Sequence, residues 1–100
     1  MRIYTLPFKT KKSERYNGYV VVGPSSPLYG REYWDEVFDK IQVHGGLTCA
    51  KKEWDGDGWV FGFDTQHAGD EYLWPDEQSV LDECERLKEQ LIALEQEMKR

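Results

Sequence analysis

From Pro75 to Arg100 the chain contains no glycine and no further proline, and Val80, Cys84, Leu87, Leu91, Leu94 and Met98 recur at spacings of 4, 3, 4, 3 and 4. Residues three and four apart share one face of an α-helix, so this repeat is a helical seam. Pro75, Asp76 and Glu77 suit a first helical turn, and Lys99 and Arg100 complement the dipole at the other end. Leu81 and Ile92 widen the stripe beyond a bare coiled-coil seam, which suits packing on a sheet. A helix over 75–100 constrains everything before it, because residues 1–74 must supply the surface that covers its apolar face.

In 100 residues there is room for one hydrophobic core. Tyr4 to Phe8 and Tyr16 to Val22 are rich in aromatic and β-branched residues and read as strands, joined through the polar Lys9–Arg15. Gly23-Pro24-Ser25-Ser26-Pro27 ends the second strand in a surface loop. Tyr29 to Lys40 fits a short helix or turn with Tyr33, Trp34, Val37 and Phe38 on one aromatic side. Ile41-Gln42-Val43 alternates and predicts a strand that kinks at Gly45-Gly46. Asp55-Gly56-Asp57-Gly58 is a turn ahead of Trp59-Val60-Phe61-Gly62-Phe63, so the runs on either side of it should pair antiparallel. The expected fold is α+β: a small antiparallel sheet of about four to five strands packed against a long C-terminal amphipathic helix. It forms a single domain over 1–100, with 1–74 mainly strands and loops and 75–100 the helix.

About 24 helical residues at 1.5 Å each span roughly 36 Å, more than the width of such a sheet. Part of the helix should therefore overhang, and Leu87, Leu91, Leu94 and Met98 are expected to meet a second copy in a homo-oligomer, most simply a dimer.

Composition narrows the function classes. The longest apolar run, Tyr19 to Val22, falls far short of the ~20 residues of a membrane span. The start of the chain lacks the order of a secretory signal, so a cytoplasmic protein without membrane partners is expected. Two cysteines, Cys49 and Cys84, give no disulfide framework. The net charge is −6, although Arg2, Lys9, Lys11, Lys12 and Arg15 outweigh Glu14 in the first fifteen residues. An acidic chain without an extended basic stripe gains little from counterion release, so direct nucleic-acid binding is disfavoured, and a basic protein partner suits the acidity better.

His44, Asp64, His67 and Asp70 are the grouping suited to acid/base or metal chemistry, and pairing of the two strands would bring His44 near the Asp64 loop. The Asp64-x-x-His67-x-x-Asp70 spacing matches no common metal signature, so neither metal nor cofactor is expected. The reading is a ligand site of His44, Gly45, Gly46, Thr48, Asp64, His67 and Asp70, in which Asp64 and His67 orient the ligand and Tyr19, Tyr29 and Trp59 wall it. Asp55 and Asp57 lack the later ligands of a calcium loop, Gly45-Gly46 lacks the context of a phosphate-binding loop, and only Lys51 and Lys52 stand near Cys49 to activate it.

Gly18-Tyr19-Val20, Pro27-Leu28-Tyr29-Gly30, His44-Gly45-Gly46-Leu47-Thr48 and Gly62-Phe63-Asp64 with His67-Ala68-Gly69-Asp70 together resemble a family of small phage and prophage proteins, mostly uncharacterised, over roughly residues 16–95. That family usually carries an aromatic where this chain has Cys49 and often a cysteine where it has Thr65. Both departures speak against a cysteine mechanism. The resemblance implies a non-enzymatic binding protein acting in the bacterial host cell, which antagonises a defence system by sequestering a nucleotide-like ligand or occluding a host defence protein. The alternatives are a small metal-assisted hydrolase using His44, Asp64, His67 and Asp70, and a structural phage protein.

Overall fold

The computed structural model describes residues 1–67 and 69–99, without the side chain of Glu71. Arg100, expected at the end of the helix dipole, and Ala68 of the second motif lie outside the described residues. Strands β1 (Arg2–Lys9) and β2 (Glu14–Val22) form a hairpin in register from Arg2↔Val21 to Lys9↔Glu14. Strands β3 (Cys49–Lys52) and β4 (Trp59–Phe63) form a second hairpin around the Asp-Gly-Asp-Gly turn. β4 lies beside β2, so the four described strands make one antiparallel sheet in the order β1-β2-β4-β3.

Alternation along the strands decides what each face meets. Gly18, Val20 and Val22 of β2, with Trp59, Phe61 and Phe63 of β4, share the face that receives the C-terminal helix, and Tyr19, Val21, Val60 and Gly62 point the other way. That helix, Glu77–Met98, lies across β1 and β2 with Val80, Cys84, Leu87 and Leu91 fully enclosed. Gly18 permits the close approach: a Cβ there would come within 2.6 Å of the Cys84 sulfur and the Phe63 ring. On the opposite face the Tyr19 ring lies over Gly62 and stacks on Tyr4 at 4.9 Å. No described helix is long and apolar enough to cross a membrane.

Several expectations change. The long helix starts at Glu77, not Pro75, because the Asp76 carboxylate accepts the Ser79 N–H and caps it. Tyr29–Lys40 forms turns and a single 3₁₀ turn, Glu36–Phe38, capped by Asp35. Ile41-Gln42-Val43 is not a strand. The Gln90 side chain from the long helix accepts the Gln42 N–H at 2.7 Å and donates to the Gln42 carbonyl at 2.8 Å, so that backbone is satisfied by a helix and joins no ladder.

The expected interface is corrected by the same segment. Leu28, Phe38 and Val43, from the irregular stretch between β2 and β3, join Leu87 and Leu91 in one core, and the Ser26 hydroxyl bonds the Glu95 carboxylate. Leu87 and Leu91 are each 0 % exposed within one chain and are not available to a second copy. Leu94 and Met98 are half-buried against that core. Leu87 and Leu91 are thus covered by the chain's own loop, while Leu94 and Met98 keep part of their surface exposed.

Candidate functional site

Two segments meet at the end of the sheet where β3 begins and β4 ends. The first turns at His44-Gly45, with the Gly46 N–H bonded to the Val43 carbonyl at 2.9 Å. Gly45 adopts φ +67°, and a Cβ on it would stand 2.8 Å from the His67 ring. A side chain there would meet both backbone strain and a clash. From the long helix, Glu83 accepts the His44 N–H at 2.9 Å and is gripped by Arg86 through Nε–H and Nη2–H at 2.7 and 2.9 Å. Burial alone would raise the Glu83 carboxyl, but Arg86 and the His44 N–H hold it below the usual range, so it stays ionised.

The second segment leaves β4 at Asp64. Thr65 is fully buried: its hydroxyl donates to the Tyr16 carbonyl at 2.6 Å, its N–H donates to the Asn17 side chain at 3.2 Å, and its carbonyl accepts from Arg15 Nη2–H at 2.6 Å. With the loop pinned, Gly69 at φ +88° leads into a one-turn helix, Asp70–Leu73. Asp70, 1 % exposed, lies between the two histidines. Its Oδ1 accepts from His44 Nε2–H at 2.9 Å, and its Oδ2 accepts from the His67 N–H at 2.9 Å and from His67 Nδ1–H at 3.2 Å. Burial opposes ionisation of Asp70, yet these bonds carry its carboxyl below the usual range. The His67 Nδ1 is also 3.5 Å from Asp64 Oδ1. The Trp74 ring lies 4.9 Å from that of His44, and its buried Nε1–H meets no acceptor among the described residues.

His44, His67 and Asp70 each offer one ligating atom, and the three lie within 4.8 Å of one another. Tetrahedral zinc with bonds of about 2.0–2.1 Å places ligand atoms roughly 3.3 Å apart. The 2.9 and 3.2 Å contacts are already near that spacing, and the present partner of each lone pair is a proton that a metal ion would replace. The centre is closed behind by Asp70 and open in front, since the His67 side chain is 49 % exposed and that of Asp64 29 %.

Of the residues expected in a ligand site, the structure therefore brings together His44, Gly45, His67 and Asp70, with Asp64 beside them. Gly46, at φ +77°, completes the turn. Thr48 is held through its N–H to the Gly62 carbonyl while its side chain stays exposed and outside the cluster. The aromatic wall does not form. Tyr29 and Trp59 pair with each other at 5.7 Å on the helix side of the sheet, whereas Tyr19 points to the other side. Trp59 also opens β4, five residues before Asp64, or about 16 Å along a strand. Sequence reasoning missed Glu83, Arg86, Thr65 and Trp74. The Glu83-x-x-Arg86 pair carried a detectable helix spacing, but nothing in it pointed to His44.

Neither cysteine is suited to nucleophilic work. Burial pushes the Cys49 thiol up, and it pushes the fully buried Cys84 thiol up to about 11. Native protein at pH 8 should leave Cys84 unmodified by iodoacetamide, whereas denatured protein is labelled at both cysteines; mass spectrometry of the peptides reads the difference, and rapid native labelling of Cys84 would contradict this core placement.

Set against known protein families, curated proteins and solved structures, the chain matches none. The geometry of the centre carries the functional argument.

Proposed function

We propose that this chain is a small metal-assisted hydrolase whose divalent ion is held by His44 Nε2, His67 Nδ1 and the Asp70 carboxylate. The observation that carries the reading is the convergence of these three ligating atoms, from two separate segments, on one partly open point. Two neutral imidazoles and a carboxylate suit zinc or manganese. Such an ion would polarise the substrate and lower the pKa of a coordinated water. Asp70 supplies the negative charge and Glu83 fixes the turn that carries His44. Asp64, 3.5 Å from His67, would serve as the proton acceptor. In such a hydrolysis, Asp64 would take one proton from the water as its oxygen bonds to the electrophilic centre, and would return that proton to the leaving group as its bond breaks.

The metal-free capture of an anion, expected from the resemblance to phage proteins, fits this centre less well. Asp64 and Asp70 give it a negative field, Glu83 being paired with Arg86, and that field repels a nucleotide phosphate unless a cation stands between them. A role in the bacterial host cytoplasm, against a defence system's signal, is compatible with the hydrolase if that signal is a hydrolysable ester.

The test is elemental analysis of purified protein, followed by hydrolysis of chromogenic phosphate and carboxylate esters before and after chelation. One zinc or manganese per chain, with turnover lost in chelator and restored by the ion, is expected. Failure to bind either ion after reloading at neutral pH would leave the cluster as a hydrogen-bonded clamp and return the binding-protein reading to first place.

A further inference from the structure

A cavity of about 420 Å³ lies between the β1–β2 hairpin tip and the one-turn helix, lined by Thr10, Lys11, Lys12, Ser13, Arg15 and Tyr72. We propose that it is a binding site for a small phosphate-bearing ligand with a planar ring, a nucleotide-like monophosphate unit.

Four observations lead there. The chain is net −6, yet the turn carries Lys9, Lys11 and Lys12 within four residues. Neither Lys11 nor Lys12 has an acidic partner among the described residues. Like charges crowded at a tight turn repel one another, and an anion relieves that repulsion. The tip is also ordered by its own bonds: the Thr10 hydroxyl accepts from the N–H groups of Lys12 and Ser13 at 3.2 and 3.1 Å, and the Thr10 N–H donates to the Ser13 carbonyl at 2.8 Å. Adjacent lysines held in this way present two ammonium groups and the Ser13 hydroxyl from one turn, a suitable set for a phosphate.

Across the cavity, Tyr72 is 83 % exposed. A phenol ring left in water on a cavity wall offers a stacking surface for a planar base, as aromatic side chains do in single-stranded nucleic-acid complexes. The volume lies in the ordinary range for small-molecule sites.

The cavity is tied to the His–Asp centre. Arg15 bonds the Thr65 carbonyl, Thr65 bonds Tyr16 and Asn17, and the loop so fastened carries Asp64, His67 and Asp70. Asp70 and Tyr72 are two residues apart on the one-turn helix, so they face different sides of it. The cavity would therefore hold a remote part of a ligand rather than the reacting bond. The site itself needs no metal; only its role in anchoring a substrate rests on the hydrolase reading.

The experiment is calorimetric titration of chelator-treated and zinc-loaded protein with adenosine 5′-monophosphate, ribose 5-phosphate and adenosine at low salt. The same titrations follow for Lys11→Glu/Lys12→Glu and Tyr72→Ala, all exposed positions, with zinc content measured in parallel. The monophosphate should bind metal-free protein more tightly than either fragment. It should lose about tenfold or more in the double charge reversal and weaken with salt. In Tyr72→Ala its affinity should fall to that of ribose 5-phosphate. No binding of the monophosphate to metal-free protein, or equal binding by the charge-reversed variant, overturns the site. Zinc uptake without monophosphate binding refutes this site alone, and monophosphate binding without zinc uptake refutes the hydrolase alone.

Discussion

Asp70→Ala should abolish stoichiometric metal binding, weakening affinity on the order of a hundredfold or more, and should cost about 3 kcal/mol of stability even without metal. The affinity loss follows because Asp70 is the one anionic member of the ligating set and the only one enclosed. The stability loss has a separate cause: the substitution removes the shared acceptor of the His67 N–H, the His67 ring N–H and the His44 ring N–H, and although water can reach the half-exposed His67 ring, the His44 ring N–H faces the enclosed Asp70 position and loses its partner there. Asp70→Asn keeps the shape and one acceptor oxygen, so it should destabilise less while still losing the metal. Urea unfolding followed by tryptophan fluorescence reads the stability, and elemental analysis reads the metal. Full zinc occupancy in Asp70→Asn would refute the ligand assignment, and Asp70→Ala as stable as the parent would refute the enclosure argument.

Leu91→Ala should destabilise the chain by about 2–5 kcal/mol, and Leu91→Glu should unfold it. Leu91 is completely enclosed by its own chain, and the mutations would leave a cavity or an unpaired charge there. Leu94→Glu, at a half-buried position beside a groove lined by Val37 and Ile41, should be far milder and leave a folded chain. Circular dichroism and urea titration measure both, and sedimentation gives the mass of whatever remains folded. A folded, monomeric Leu91→Glu would show that this position faces a second copy after all.

The seam from Val80 to Met98 correctly announced a long helix with one buried stripe, because that pattern is local and repeats. It could not say what covers the stripe. The cover comes partly from Leu28, Phe38 and Val43, which stand in a stretch with no periodicity and are recruited by turns rather than by a regular element. Counting only sheet width as available cover put Leu87 and Leu91 in an interface, where the loop already encloses them. Ile41–Val43 misled for a related reason: its alternation suits a strand, but the Gln90 side chain satisfies its backbone first.

For the site, sequence alone indicated the two segments and the strand Trp59–Phe63 that leads into one of them, but it put the partner strand at Ile41–Val43, whereas the strand that pairs across the Asp-Gly-Asp-Gly turn is Cys49–Lys52. It also named His44, Asp64, His67 and Asp70 as one candidate grouping from residue type, and the structure brings His44, His67 and Asp70 together with Asp64 beside them. Register decided the rest. Val22 pairing with Trp59 puts Trp59 on the helix side and Tyr19 on the other, a consequence of period-two alternation that a one-residue slip would reverse. Asp70 reaches both imidazoles because a glycine at φ +88° and a single helical turn aim it inward, and Glu83 reaches His44 because the helix crosses the sheet at that height. Periodic burial and turn chemistry are encoded residue by residue and were readable in the chain. Which side chains meet depends on register, crossing position and loop path, and these arise only when distant segments pack together.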